Sequence, residues 1–122
     1  MNVLVVDDSV TMRKIVILAL GKNDMNVVEA ENGRQALDLV GKQTFDLMIL
    51  DINMPELNGL EFLKELKKTP LAGKVPIVML STQAEKAIQD EALSLGAKAF
   101  MRKPFQKADL QAQVMALTGK KI

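Results

Sequence analysis

The 122-residue chain contains no cysteine and no histidine, and its only aromatic residues are four phenylalanines. Without cysteine there is no disulfide framework, no thiolate metal site and no sulfur nucleophile, and a reducing compartment fits. Without histidine the chain loses both the usual general base near neutral pH and the commonest nitrogen ligand for metals. Any chemistry must therefore run on carboxylates, hydroxyls and amines. No stretch approaches the roughly 20 apolar residues that a membrane span requires. Only four consecutive apolar residues, Val3 to Val6, precede Asp7 and Asp8, too few for the apolar region of a secretory signal. A cytoplasmic protein with no membrane contact is expected. Neither charge dominates, with 16 Lys and Arg against 15 Asp and Glu, so broad attraction to nucleic acid or anionic lipid is not expected and the partner should be a specific protein surface.

What the chain does have is an ordered alternation of apolar patterns. Its length suits one domain that buries about two-thirds of its unfolded surface. Four short apolar runs read as strands: Val3 to Val6, Leu47 to Leu50, Val75 to Leu80 and Ala97 to Met101, with Val27-Val28 a weaker fifth. Apart from Lys98 they are continuously apolar, as strands covered on both faces should be, and helical patterns separate them, which implies a parallel sheet. The first helical pattern runs through Met12, Ile15, Val16 and Ala19, with Ser9 as its N-cap and Gly21 as its stop. The later ones use Ala36, Leu37 and Val40; Leu60, Leu63 and Leu66; Ala84, Ala87, Ile88 and Ala92; and Leu110, Val114 and Leu117. Pro70, Gly73, Pro76 and Gly96 fall between elements as breakers. The predicted architecture is α/β: five strands alternating with five helices, with right-handed crossovers and helices on both faces. Lys120-Lys121 reads as a solvated tail.

The chemistry-bearing residues fall where strands end. Asp7 and Asp8 follow the first strand, Asp51 follows the third, Ser81 follows the fourth, and Lys103 lies two residues past the fifth. Ligands of open α/β sheets bind outside the carboxyl ends of the strands, where strand order reverses. If the first and third strands are neighbours there, three carboxylates share one pocket. Their mutual repulsion calls for a cation, and hard oxygen ligands alone select Mg²⁺ or a similar ion. With cysteine and histidine absent, a carboxylate, a hydroxyl or an amine remains as nucleophile, and aspartate forms acyl phosphates in phosphoryl transfer. Lys103 and the metal would screen the phosphoryl oxygens, and Ser81 would supply a hydrogen bond.

Each residue also has a plainer reading. Asp7-Asp8 would cap a helix, Asp51 and Asn53 would form a turn ahead of Pro55, and Ser81 would cap the fourth helix. Lys103 would be a solvated charge and Phe100 a core residue. Pro104 argues against the plain reading of Lys103, because the residue before proline is kept out of the helical region.

Taken together the segments Val5-Val6-Asp7-Asp8-Ser9, Leu50-Asp51-Ile52-Asn53-Met54-Pro55-Glu56-Leu57-Asn58-Gly59, Met79-Leu80-Ser81-Thr82 and Gly96 to Phe105 closely resemble the response regulator receiver domain family. The resemblance spans essentially the whole chain, 1–122, as one receiver domain. The run Asp8 to Ile15 is similar to the chemotaxis branch in particular. The resemblance implies a flavodoxin-like (βα)5 fold whose strand order, 2-1-3-4-5, is taken over from that branch. It implies that Asp51 is the phosphoacceptor, with Asp8, Asp51 and the backbone carbonyl of Asn53 on Mg²⁺ and Asp7 acting through a water. Lys103 would bind the phosphoryl group. Ser81 and Phe100 would form the switch, Ser81 moving toward the phosphoryl oxygens and Phe100 turning into the vacated space. The implied partners are a sensor histidine kinase or phosphotransfer protein and a downstream protein such as a flagellar motor switch or a relay enzyme. Direct nucleic-acid binding is not implied, and the unphosphorylated chain is expected to be a monomer that promotes only its own phosphorylation and dephosphorylation.

Two positions depart from the common family pattern. Thr82 stands where alanine is frequent, which adds bulk beside the pocket, and Phe100 stands where the chemotaxis branch has tyrosine, which removes any phenolic contact. The resemblance also implies that Asn53 and Gln83 occupy positions that tune dephosphorylation in that family. Three other readings compete. A dehalogenase-like phosphatase would need an acid at the position of Asn53, and a flavin-binding protein would need aromatics to stack on the ring; the third reading, a receiver fragment of a transcription factor or hybrid kinase, has no following DNA-binding segment in the sequence to support it. The expectation is a stand-alone regulator acting by protein contact.

Overall fold

The apolar runs within Val3 to Val6, Leu47 to Leu50 and Ile77 to Leu80 form strands buried on both faces, whereas the strand at each edge of the sheet is only partly covered, because an edge has a neighbour on one side alone. The computed structural model describes residues 1–21 and 25–119; the expected tail at Lys120-Lys121 lies outside them. In chain order the elements are β1 (Asn2–Val6), α1 (Val10–Leu20), β2 (Asn26–Ala30), α2 (Gly33–Val40), β3 (Leu47–Leu50), α3 (Gly59–Lys67), β4 (Ile77–Ser81), α4 (Lys86–Ser94), β5 (Ala99–Arg102) and α5 (Lys107–Thr118). All pairings are parallel, and the sheet order is β2-β1-β3-β4-β5, the order taken over from the family.

Side chains alternate across a strand, so a continuously apolar strand feeds two cores. Leu4, Val6, Met48, Leu50, Ile77 and Met79 pack with Ala36 and Val40 of α2, Phe62, Leu63 and Leu66 of α3, and Ala92 of α4. Val3, Val5, Leu47, Ile49, Val78 and Leu80 point the other way, into a second core with Val16, Ala19 and Leu20 of α1 and Leu110 and Val114 of α5. Each fully buried Val, Leu, Ile, Phe or Met among them contributes about 1.5–3 kcal/mol of transfer free energy.

Several boundaries differ from expectation. β4 begins at Ile77, not Val75, because Pro76 has no N–H to give a ladder, although its carbonyl accepts from Met48 at 2.9 Å. β5 begins at Ala99, not Ala97; the Ala97 N–H closes the end of α4 onto the Ala92 carbonyl at 3.1 Å. Ser81 is the last residue of β4 and does not follow it. β2 extends from Asn26 to Ala30.

The helix faces are also adjusted. Ser9 caps α1 as expected, accepting from the Met12 N–H at 3.1 Å, and Gly21 ends it at φ 87°. Ile15, however, is exposed, and Arg13 takes the buried position one turn before Val16. In α4 only Ala92 is fully buried; Ala84 precedes the helix and Ala87 faces solvent. Among the described residues no helix is long and apolar enough to cross a membrane.

Candidate functional site

The strand register determines which acids meet. Val6 of β1 lies level with Leu50 of β3, so the next residues, Asp7 and Asp51, leave adjacent strands side by side. The Asp51 N–H donates to the Val6 carbonyl at 2.9 Å, and the Asp7 N–H donates to the Ala30 carbonyl at 3.1 Å. Asp8 follows Asp7 into α1's N-terminal turn. Carboxylate oxygens of Asp7, Asp8 and Asp51 all lie within 4.8 Å of one another, with Asp7 and Asp51 buried and Asp8 exposed. The condition set by the sequence, that β1 and β3 be neighbours, is met.

Lys103 reaches this group from β5. Its Nζ lies 2.6 Å from Asp7 Oδ2 and 3.5 Å from Asp51 Oδ1. Its backbone is held in turn, because its N–H donates to the Ser81 carbonyl at 2.9 Å. The plain reading of Lys103 as a solvated charge therefore fails. Asp7 Oδ1 accepts from the Ser9 N–H at 2.9 Å, and Asp51 Oδ1 accepts from the Ile52 N–H at 2.8 Å.

Burial pushes the Asp51 carboxyl above its ordinary range. The Lys103 ammonium opposes this, the neighbouring Asp7 carboxylate adds to it, and the Ile52 N–H opposes it again. Desolvation wins, so ionising Asp51 is costly in this pocket, and a bound cation would relieve that cost. The donors are all hard oxygens at close mutual range, which suits Mg²⁺ and excludes a soft-metal site.

The remaining predicted residues lie around this group. Ser81 is fully buried, its Oγ accepts from the Gln83 N–H at 3.1 Å, and it is tied to the site through Lys103. It caps nothing, since α4 has Glu85 at its N-cap with no side-chain bond. Asn53 is exposed on the loop after Asp51. Phe100 is not part of the acidic group; it sits in β5 level with Met79 and packs, partly buried, on the core beneath α2, α3 and α4.

The loop between β3 and α3 is folded tightly against the site. The Gly59 N–H donates to the Ile52 carbonyl at 2.9 Å, and a Cβ on Gly59 would come within 2.2 Å of the Asp51 carbonyl oxygen. Gly33 anchors the far side, donating to the Leu57 carbonyl at 2.9 Å, where a Cβ would lie 2.4 Å from that oxygen. Glu56 turns the loop at φ 67°.

Sequence reasoning missed Arg13. Its Nη1 donates to the Asp7 carbonyl at 2.7 Å and its Nε to Glu29 Oε1 at 2.8 Å. The signal was present, because Arg13, Val16 and Leu20 share one helical stripe and the last two are core. A charge on such a stripe marks a buried polar contact.

A family model described as the response regulator receiver domain matches residues 3–115. The chain is 39% identical over 123 residues to a chemotaxis protein CheY homolog of Campylobacter jejuni, covering 98% of this chain and 93% of that protein. It is 40% identical over 106 residues to the chemotaxis protein CheY of Bacillus subtilis, covering 86% of this chain and 87% of that one. Among solved structures, the chemotaxis protein CheY4 of Vibrio cholerae matches with a TM-score of 0.87 at 34% identity, over 95% of this chain and 97% of that chain.

Proposed function

The chain belongs to the response regulator receiver family of two-component signalling, and on that footing we propose that it accepts a phosphoryl group on Asp51 in a Mg²⁺-dependent reaction. The observation that carries this is the approach of three carboxylates to within 4.8 Å, with the Lys103 ammonium on Asp7 and 3.5 Å from Asp51. Asp8, Asp51 and the Asn53 backbone carbonyl would hold the ion, with Asp7 acting through a water. Such an ion would supply positive charge to offset that of the phosphoryl oxygens. Asp51 supplies the attacking oxygen. A new O–P bond forms to it as the P–N bond to the donor's phosphohistidine breaks, and the electron pair leaves with the imidazole nitrogen.

Lys103 stands beside both buried acids and stabilises the phosphoryl group once it is in place. Ser81 gives up its bond from Gln83 to turn its hydroxyl toward the new oxygens, and Phe100 moves inward from β5 in response. The face formed by α4, β5 and α5 changes shape, and a protein target reads it. Residues 1–122 act as one unit, a signalling domain that promotes only its own phosphorylation and dephosphorylation. The donor is a sensor histidine kinase or phosphotransfer protein. The similarity to chemotaxis proteins over nearly their whole length supports a target of the flagellar-switch type, contacted in the cytoplasm by an otherwise monomeric protein that binds no nucleic acid.

Incubation with phosphoramidate and Mg²⁺, followed by intact-mass measurement, tests this. The wild type gains one labile phosphoryl group and Asp51→Asn gains none; equal labelling of the two overturns the assignment.

A further inference from the structure

Asp8 is peculiar among the three acids. Asp7 and Asp51 each accept a backbone N–H and face Lys103, whereas among the described residues the Asp8 carboxylate has no hydrogen bond or ion pair. The backbone therefore fixes where its Cβ stands, and only the staggered rotamers available from there decide what the carboxylate can reach. That backbone begins at the Asp7–Asp8 peptide, a rigid plane in which fixing the carbonyl oxygen also fixes the nitrogen and Cα of the next residue.

The carbonyl of that plane is held from inside the protein. Arg13 is 7% exposed, and its Nη1 donates to the Asp7 carbonyl at 2.7 Å. A guanidinium is a planar fork of donors that loses little freedom on binding two partners at once. The second partner is Glu29 Oε1, 2.8 Å from Nε, on the edge strand β2 where Glu29 lies level with Val5. The Asp7 N–H is already tied to Ala30. Both ends of the Asp7 backbone are thus fastened, one by the sheet and the other by Arg13.

We infer that Arg13, oriented by Glu29, is a positioning residue for divalent-cation binding, acting through the Asp7–Asp8 peptide plane to aim the Asp8 carboxylate. This rests on the reading of Asp8 as a ligand. Two effects of removing Arg13 oppose each other. Loss of a buried positive charge near three acids favours cation binding by Coulomb attraction; loss of orientation disfavours it, and contacts one step behind a metal ligand commonly carry 10- to 100-fold in affinity. The sign of the change separates a positioning role from a field effect.

The test is a titration of ¹⁵N-labelled full-length protein with MgCl₂, following the amide signals of Asp8 and Ile52. Arg13→Met keeps the length of the apolar stem and should bind Mg²⁺ about ten-fold more weakly than wild type. Arg13→Lys should recover part of that loss, and Glu29→Gln should weaken binding less than Arg13→Met does. Arg13→Met binding Mg²⁺ as tightly as wild type, or more tightly, overturns the inference. If Arg13→Met does not fold, wild-type affinity in both Arg13→Lys and Glu29→Gln overturns it equally. Asp8→Asn separates the two levels of the argument: unchanged Mg²⁺ affinity there removes the ligand reading beneath, whereas weakened binding in Asp8→Asn beside unchanged binding in the Arg13 variants removes only the role of Arg13.

Discussion

Lys103 Nζ and Asp7 Oδ2 lie 2.6 Å apart although 96 positions separate the two residues in the chain. The contact joins β5's far end to β1's and places one positive charge between two buried carboxylates, since Asp51 Oδ1 is 3.5 Å from the same nitrogen. Both side chains of the closer pair are nearly buried, 12% and 6% exposed. A pair in that setting is costly to break because the remaining charge keeps its desolvation penalty and loses its compensation.

Lys103→Met should therefore destabilise the metal-free protein by about 1–3 kcal/mol. Urea unfolding in EDTA measures the loss. Added Mg²⁺ should stabilise the variant more than it stabilises wild type, because the uncompensated acids attract the cation more strongly. An equal response of the two proteins to Mg²⁺ would argue against a shared electrostatic pocket.

Asp51 gives a pH-dependent prediction. Its carboxyl is raised from the ordinary 3.8 chiefly by burial, so the folded protein binds its proton more tightly than the unfolded chain does. Stability from this group is accordingly highest at acidic pH, falls as pH rises from about 3.8 through the folded value, and stays low above it. Asp51→Asn removes the penalty. Without Mg²⁺ the variant should be more stable than wild type at pH 7, and its advantage should shrink as the pH is lowered toward 4; an advantage that grows on acidification contradicts the burial argument.

At Gly59 the objection to a side chain is contact, not conformation. A Cβ there would sit 2.2 Å from the Asp51 carbonyl oxygen and 2.9 Å from the Ile52 Cα, and both are backbone atoms that cannot swing aside. Gly59→Ala should cost about 1–3 kcal/mol in urea unfolding and displace the segment that carries Asp51. Slower labelling by phosphoramidate is the accompanying functional outcome, and wild-type stability together with wild-type labelling would show that the loop yields freely.

Glu56 is the reverse case, because its strain lies in the backbone. It is exposed and has φ 67°, the left-handed region that a residue with a long side chain occupies at a cost. Glu56→Gly should raise stability by about 0.5–1 kcal/mol, net of the extra freedom glycine has in the unfolded chain. Chemical denaturation reads this directly, and a loss of stability would mean that the Glu56 side chain makes a contact worth more than the strain.

Much of this molecule was legible from local pattern. Val3 to Val6 and Leu47 to Leu50 lack any polar residue, and only a strand covered on both faces tolerates that; the two cores, one holding Leu4 and Val6 and the other Val3 and Val5, are that pattern made solid. Ser9 was readable as a cap because a hydroxyl ahead of an apolar helical repeat satisfies a free N–H. Phe62, by contrast, escaped the reading although it is fully buried, since Leu60, Leu63 and Leu66 already accounted for a helical face. Ile15 erred the other way: its spacing fits an apolar stripe, yet the helix is rotated so that Arg13 and Val16 face inward.

The sequence by itself determined the class of elements, their order and the kind of chemistry available, because periodicity, caps and residue inventory act over a few neighbouring positions. Only the tertiary structure decided that Val6 aligns with Leu50, that Lys103 pairs with Asp7 more closely than with Asp51, and that Arg13 reaches back to the Asp7 carbonyl. Those relations depend on strand register and helix rotation, which are set by packing the whole core at once, so no short stretch of sequence carries them.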